Sequence, residues 1–179
     1  MKRLMMTLLL SGCGSAKQTP QDFARWQQEL TEESAIRFSA RITGEWTEGT
    51  TSFSADVVRT GEETAVTVTA PETIAGVTVR SRSGGDTLEY DGVILDLAPG
   101  VPDALSPCGA GGILLEALTR GNLLYMGAER DYVTAAVAAP GGETVTVWLA
   151  PDNIPVYAEI TRGETGSLTI SLDDWETEE

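Results

Sequence analysis

The sequence contains no histidine, the side chain that most often serves as a general base, a metal ligand or the partner of a nucleophilic serine or cysteine. Basic residues are also scarce, because 12 lysines and arginines stand against 27 acidic residues. The formal charge is therefore -15 and the pI is near 4.3. This charge argues against binding of nucleic acid, or of an anionic bilayer, through a basic patch.

Motifs that hold nucleotides, metals or catalytic groups are missing as well. The run Gly109-Ala110-Gly111-Gly112 precedes a predicted helix but follows no strand of a parallel sheet, so it is not a P-loop or Rossmann motif. Carboxylates such as Glu89, Asp91 and Asp96 fall at predicted turns or on the solvent face, where solvated charge is the usual explanation. We expect no catalytic residues, no metal and no cofactor, and an extracellular hydrolase is the least favoured class of function.

Cysteine is rare too, and the position of the first of the two suggests its role. Lys2 and Arg3 precede an apolar stretch over residues 4–10, which ends in Leu10-Ser11-Gly12-Cys13. This order resembles the signal and lipobox of bacterial prolipoproteins. The alternative is a buried or disulfide-linked cysteine behind an ordinary signal peptide.

The lipobox resemblance implies a membrane anchor. Residues 1–12 would be a signal peptide removed after Gly12, Cys13 would carry diacylglycerol, and residues 13–19 would form a lipidated tether. We therefore expect the protein at the extracytoplasmic face of a cell membrane, held there by its diacylglyceryl-cysteine. With Cys13 lipidated, Cys108 has no intramolecular partner, and we expect it to be an unreactive thiol.

Between Phe38 and Leu97 the sequence predicts six antiparallel strands, because apolar and polar residues alternate strand after strand. The last two strands form a hairpin around Asp91-Gly92, which suits a two-residue type I′ turn. That turn places Tyr90 opposite Val93 and Leu88 opposite Leu95, so that both pairs on one face are apolar. Turn chemistry and hydrophobic pattern therefore agree on one register.

Two helices interrupt the strands. Thr19 as N-cap and Pro20 in the first turn predict a helix that ends near Glu33, with Phe23, Trp26 and Leu30 on one apolar stripe. A second, shorter helix is predicted over residues 113–120. The glycines before it, Gly109, Gly111 and Gly112, indicate either a hinge or a tight turn that approaches the sheet.

Four more alternating segments follow the second helix. They are residues 132–138, 144–149, 156–160 and 167–172. About ten strands exceed what a flat open sheet tolerates. We therefore predict a mainly β protein with some α structure, in which residues 20–179 form one domain. Its strongly curved antiparallel sheet, or incomplete β-barrel, would have an N-terminal helix and a helical lid or plug.

The order of lipobox, helix, strand meander, helical break and final strands resembles the LolA/LolB fold family, which also includes the mycobacterial LppX- and LprG-type lipoproteins. The most similar segments are residues 66–92 and 149–156. The resemblance implies that acyl chains bind in an apolar cavity and that the protein is not an enzyme. The sequence departs from the LolA carriers at Ala70, where they have an arginine that helps to latch the lid.

Two classes of function remain. The first is an anchored protein that binds a lipid or another hydrophobic ligand in the concave face of the barrel. The predicted ligand-binding residues are Phe38, Phe53, Leu88, Leu95, Leu114 and Leu118. The alternative is a structural or interaction lipoprotein, in which these side chains only pack on one another and partners bind the acidic exterior or an exposed sheet edge.

Overall fold

The computed structural model describes residues 18–46, 49–83, 85–98, 107–163 and 167–178. In these residues the chain forms two α-helices and one sheet of eleven strands. The helices are α1 (Pro20–Glu32) and α2 (Pro107–Arg120). The strands are β1 (Ala35–Trp46), β2 (Gly49–Thr60), β3 (Glu63–Ala70), β4 (Thr78–Arg82), β5 (Gly85–Tyr90), β6 (Val93–Asp96), β7 (Asn122–Glu129), β8 (Tyr132–Ala138), β9 (Thr144–Leu149), β10 (Pro155–Thr161) and β11 (Ser167–Glu178). The expected signal peptide and Cys13 lie outside the described residues.

The sheet is antiparallel throughout and does not close. Its strand order is β6-β5-β4-β3-β2-β1-β11-β10-β9-β8-β7, so the N-terminal meander and the C-terminal strands join where β1 pairs with β11. β6 and β7 are the two edges. The prediction of a curved sheet or incomplete barrel with two helices is confirmed, with eleven strands in place of about ten.

The additional strand is β7, which the alternation rule misses for a physical reason. Leu123, Leu124 and Tyr125 are consecutive apolar residues, and a β-bulge between Leu123 and Tyr125 breaks the period of two. As a result, Leu123 packs against the core while Leu124 and Tyr125 are exposed. A strand with its apolar residues on both faces carries no alternation to detect.

The β5–β6 hairpin has the predicted register. Tyr90 pairs with Val93 and Leu88 pairs with Leu95. Asp91 and Gly92 have φ angles of 50° and 77°, the left-handed values that a type I′ turn requires at both central positions. The concave face of the hairpin therefore carries all four apolar side chains of these pairs.

Helix α1 begins and packs as predicted. The Asp22 backbone N–H donates to Thr19 Oγ1 at 3.3 Å, and the Thr19 backbone N–H donates to Asp22 Oδ2 at 3.0 Å, so the two residues form a capping box. Phe23, Trp26 and Leu30 are buried in the main core. The stripe therefore attaches α1 to the interior of the domain.

Helix α2 is longer than predicted, because it begins at Pro107 and not near residue 113. The glycines lie inside the helix, and Gly111 has a specific packing role. A Cβ at this position would lie 2.8 Å from Val57 Cγ2 and 3.3 Å from Val66 Cγ2. Gly111 thus lets the chain approach β2 and β3 closely, but it does so within α2 and not in the tight turn predicted from the sequence.

The concave face of the sheet and the two helices enclose a single core. One inward row crosses the N-terminal half through register pairs, and its members Phe38, Val57, Val66 and Val79 are all buried. A second row crosses the other half through Ile42, Ile170, Ala158, Val147 and Ala135, which are also buried. The middle of the half-barrel is therefore filled with side chains.

Candidate functional site

The inward apolar row continues past the core into solvent. Val79 is buried, its partner Leu88 is half-buried, and Leu95 on the edge strand is 54% exposed. Val93 and Tyr90 lie on the same face and are also exposed. We call these four residues, Leu88, Tyr90, Val93 and Leu95, the apolar strip. It is a hydrophobic part of the concave face that the helices leave uncovered.

A cavity of about 430 Å³ lies beside the apolar strip, at the end of β2 to β5 and against one side of α2. We call this cavity the mouth; its walls include Arg59, Thr64, Ser81, Asp86, Ile113 and Arg120. The first four form one register row across the concave face, immediately next to the apolar row that contains Leu88. Along β5, Asp86 of the mouth and Leu88 of the strip are therefore consecutive inward residues.

The mouth contains charges of both signs. Arg162 donates to Glu143 Oε1 at 2.6 Å, and the Glu143 side chain is almost completely buried. Arg120 lies 3.9 Å from Glu62, at the outer limit of an ion pair, and both side chains are well exposed. The first pair is an integral part of the mouth wall, whereas the second is loose and contributes little.

Arg59 is the least satisfied side chain in this cavity. Its Nε donates to the Gly61 carbonyl at 3.0 Å, but its Nη1 is buried and has no hydrogen-bond partner among the described residues. Burial, and secondarily the charge of Arg120, lower the pKa of Arg59 from its ordinary value. Of the guanidinium nitrogens, Nη1 is therefore the one that is buried without an acceptor among the described residues.

The six predicted ligand-binding residues lie at three depths. Phe38, Leu114 and Leu118 are buried in the core, Phe53 and Leu88 are half-buried, and Leu95 is exposed. The structure brings Leu88 and Leu95 together as a register pair on the apolar strip. It places Leu114 and Leu118 of α2 in the packed interior. Ligand binding by these residues stays a prediction.

Sequence reasoning did not identify the polar residues of the mouth. Arg59, Ser81 and Asp86 lie at inward-facing positions of β2, β4 and β5. The alternation of inward and outward residues along these strands was the sequence signal that could have identified them. A polar residue at the end of an inward apolar series predicts the rim of a cavity. The exposed position of Glu116 on α2 also follows from its place opposite Leu114 and Leu118.

Neither the free cysteine nor the acidic residues form a reactive or metal-binding site among the described residues. Burial raises the pKa of the Cys108 thiol, which disfavours the nucleophilic thiolate. Within the part of the chain that the structure describes, no three histidine, cysteine, aspartate or glutamate residues are grouped so that they could hold a metal ion.

A second cavity, of about 410 Å³, lies on the convex face and not in the half-barrel. Its walls include Trp148 and Tyr157, whose rings meet edge-on with centroids 5.1 Å apart. Trp148 Nε1 donates to Glu129 Oε2 at 3.0 Å, so its polar atom already has a partner. This cavity is separate from the apolar strip.

Known structures share this architecture at low sequence identity. A domain from Vibrio parahaemolyticus described as an outer membrane lipoprotein-sorting protein superposes with a TM-score of 0.53 and 11% identity, over 87% of this chain and 91% of that one. A DUF1329 family protein from Desulfovibrio piger gives a TM-score of 0.52 and 10% identity, over 87% and 90% of the two chains. The fold is LolA-like. A LolA superfamily protein from Nitrosomonas europaea is similar over 89% of this chain and 93% of that one, with a TM-score of 0.48 and 11% identity.

The LolA-like fold confirms the resemblance inferred from the sequence. No family model and no curated protein matches the sequence itself. Identities of 10 to 11% establish the fold alone, so the role of the LolA-like domain has to be argued from the apolar strip and the mouth. Among the described helices, none is both long and apolar enough to cross a membrane.

Proposed function

We propose that the protein is a membrane-anchored extracytoplasmic lipoprotein that binds a lipid or another hydrophobic molecule on its concave face, without catalysing a reaction. The observation that carries this proposal is the apolar strip. Leu95 and Val93 expose 54% and 56% of their surface on the concave face of a LolA-like sheet, beside an open cavity. Solvated apolar surface of this kind marks a binding groove more often than a structural need.

A ligand on the apolar strip would be stabilised by burial of its exposed side chains. Fully burying a side chain such as leucine or valine stabilises a protein or complex by about 1.5–3 kcal/mol. The strip leaves much of this stabilisation unused at Leu88, Val93 and Leu95, while the core beneath is already packed. A ligand that is flexible and apolar, such as an acyl chain, can follow the strip along β5 and β6 without displacing core residues.

The proposed lipid anchor is consistent with an acyl-chain ligand on the apolar strip. If Cys13 carries diacylglycerol, the domain lies at the surface of a bilayer, which is the source and destination of acyl-chain ligands. The similar domain from Vibrio parahaemolyticus is described as a lipoprotein-sorting protein, and that description supports a role in handling lipidated molecules here. The acidic exterior keeps the domain off an anionic surface while the tether holds it nearby.

The strip offers a test with a matched control. We would titrate a fluorescent fatty-acyl probe into the full chain carrying Cys13→Ser, so that the protein's own acyl groups cannot compete. Leu95 and Ile94 are adjacent and similarly exposed, but they lie on opposite faces of β6. Leu95→Asp is expected to weaken probe binding about tenfold or more, since it puts a charge on the strip, whereas Ile94→Asp should bind as the parent does. Equal binding by both variants would contradict the proposal.

Leu118 is unsuitable for this test. Its side chain is completely buried among core residues, so Leu118→Asp would place an unpaired carboxylate in the interior and unfold the domain whether or not a ligand binds. Leu114 has the same limitation. Substitutions on the apolar strip do not unfold the domain in this way, because exposed positions tolerate charge.

The edges of the sheet support a second candidate, an interaction lipoprotein without a ligand. β6 and β7 each have one neighbouring strand, and they expose Ile94, Leu124 and Tyr125. Such edges can pair with a strand of another protein. This candidate predicts no acyl-probe binding by the parent chain, together with loss of a copurifying protein when Ile94 or Leu124 is changed to aspartate.

A further inference from the structure

The mouth contains a donor that no group in the described protein satisfies. Arg59 Nη1 is buried and unpaired, although the arginine as a whole lines a cavity large enough for a small ligand. A buried donor without a partner destabilises the folded protein, and more so when it is charged. Because the unsatisfied atom is an N–H group, the missing partner has to be a hydrogen-bond acceptor.

A neighbouring arginine indicates which kind of acceptor the mouth would bind. Arg120 lines the same cavity as Arg59, and its charge contributes, after burial, to the lowered pKa of Arg59. Arg120 is more than half exposed, and Glu62 contacts it only at 3.9 Å, which leaves its donors available. Two guanidinium groups that line one cavity match the oxygens of a phosphate or carboxylate better than a neutral acceptor.

The position of the arginines relative to the apolar strip indicates that the ligand also has an apolar chain. Arg59, Thr64, Ser81 and Asp86 form one inward row, and the next inward row contains Leu88 and Leu95. Consecutive inward residues of a strand are about 7 Å apart. A headgroup at the arginines would therefore continue directly into a chain that lies on the strip.

We propose that the mouth is an oxyanion site, in which Arg59 and Arg120 bind the phosphate or carboxylate headgroup of an amphiphile whose acyl chain covers the apolar strip. This inference rests on the proposed function and adds the ligand's chemical class to it. Because Nη1 is buried, its hydrogen bond to the headgroup requires the Arg59 side chain to rotate.

Carboxylates in the mouth limit the distance over which this site can attract an anion. Glu62, Asp86, Glu116 and Glu143 also line the cavity, so its lining as a whole is not positively charged. Binding would depend on direct contacts with Arg59 and Arg120 and not on attraction from a distance. The site therefore suits one oxyanion and disfavours a polyanion.

The experiment compares two ligands with identical chains. Dodecyl phosphate and dodecanol would each displace a fluorescent acyl probe from the full chain carrying Cys13→Ser, with inorganic phosphate as a third competitor. The parent should bind dodecyl phosphate about tenfold more tightly than dodecanol, as expected for charge-assisted hydrogen bonds. Arg59→Gln or Arg120→Gln should remove most of this preference, because it weakens the binding of dodecyl phosphate much more than the binding of dodecanol.

Arg41→Gln is the matched control, because it removes the same charge from an exposed position on the convex face of β1. It should keep the full preference. A preference that is absent in the parent, or that survives both Arg59→Gln and Arg120→Gln, would overturn the oxyanion site even if dodecanol binds well. Arg120→Gln is informative if Arg59→Gln fails to fold, since Arg120 is largely exposed.

The competitors separate this inference from the proposed function. If neither the probe nor either alkyl ligand binds, but inorganic phosphate binds in an Arg59-dependent manner, the mouth is a site for free oxyanion and the proposed lipid binding is wrong. If dodecanol binds and phosphate binding is independent of both arginines, lipid binding stands and the oxyanion site is wrong. If inorganic phosphate weakens the binding of dodecyl phosphate but not that of dodecanol, both lipid binding and the oxyanion site are supported.

Discussion

Single residues set how closely α2 packs on the sheet, and the two neighbouring glycines of this helix differ in this respect. An added Cβ at Gly111 would lie within 3.3 Å of methyl groups of Val57 and Val66, whereas one at Gly112 would meet nothing within 4 Å. Gly112 borders the mouth, where there is open space. The same substitution at the two positions therefore separates a packing constraint from helix propensity.

We predict that Gly111→Ala lowers the free energy of unfolding by about 1 kcal/mol, because an overpacking cost of about 1–3 kcal/mol exceeds the gain in helix propensity of about 1 kcal/mol. Gly112→Ala should raise it by about 0.5–1 kcal/mol, since only the propensity gain applies. Urea unfolding of the two variants measures both. Equal shifts would mean that α2 does not lie against Val57 and Val66 as described.

The residue scale also separates what the sequence predicts from what it does not. The parity of Leu88 and Leu95 follows from alternation and from the turn at Asp91-Gly92, so their common face is predictable. The exposure of Leu95 is not, because it depends on how far α2 reaches across the sheet. Arg59 is a similar case, since its unpaired Nη1 results from contacts between distant parts of the chain.

Among the elements, α1 has the clearest local origin. Its capping box joins Thr19 and Asp22, and hydrogen bonds from Thr19 lower the pKa of the Asp22 carboxyl. The helix packs Phe23, Trp26 and Leu30 into the core. Local sequence was sufficient to predict this helix.

Thr19→Ala is expected to lower the free energy of unfolding by about 1 kcal/mol, as for other N-cap threonines. Because the pKa of Asp22 is lower in the folded protein, the stabilisation by its carboxylate is present above its unfolded pKa and is lost as pH falls through the folded value. The difference in stability between the parent and Asp22→Asn should therefore shrink on acidification. Urea midpoints measured between pH 7 and pH 3 test this, and a pH-independent difference would contradict it.

Helix α2 and strand β7 illustrate where element prediction fails. Glycine has a low helix propensity, so the first turns of α2, which contain Gly109, Gly111 and Gly112, could not be recognised as helical from the sequence. Tertiary packing stabilises these turns. The consecutive apolar residues of β7 and its bulge removed the alternation. Both elements depend on partners that are distant in sequence, whereas α1 and the β5–β6 hairpin are specified locally.

At the scale of the whole molecule, the open sheet explains why a filled core and an uncovered apolar strip coexist. The helices cover the concave face near the centre of the eleven strands, and the sheet extends past them to the β6 edge. The curved, incomplete barrel was predictable from strand number and helix placement. The location of its uncovered part was not, because it depends on the exact position of α2.

The proposed anchor is also a property of the whole molecule. We predict that the parent chain, expressed in a bacterium that processes lipoproteins, fractionates with membranes, and that Cys13→Ser moves it to the soluble fraction or leaves it unprocessed. Two acyl chains provide stable anchoring, at about 0.8 kcal/mol for each buried CH₂. Cys108→Ser is the control and should remain in the membrane fraction. Membrane retention of a processed Cys13→Ser chain would contradict lipid anchoring.

The central claim is that the apolar strip on the concave face holds a hydrophobic ligand. Native mass spectrometry of chains purified from their membranes tests this claim most directly, because a bound ligand adds a mass that gentle activation removes, unlike a covalent anchor. The account predicts a noncovalently bound acyl-chain compound on the parent and on Ile94→Asp, and its loss from Leu95→Asp. A parent without bound compound, or a Leu95→Asp variant that carries as much as the parent, would contradict it.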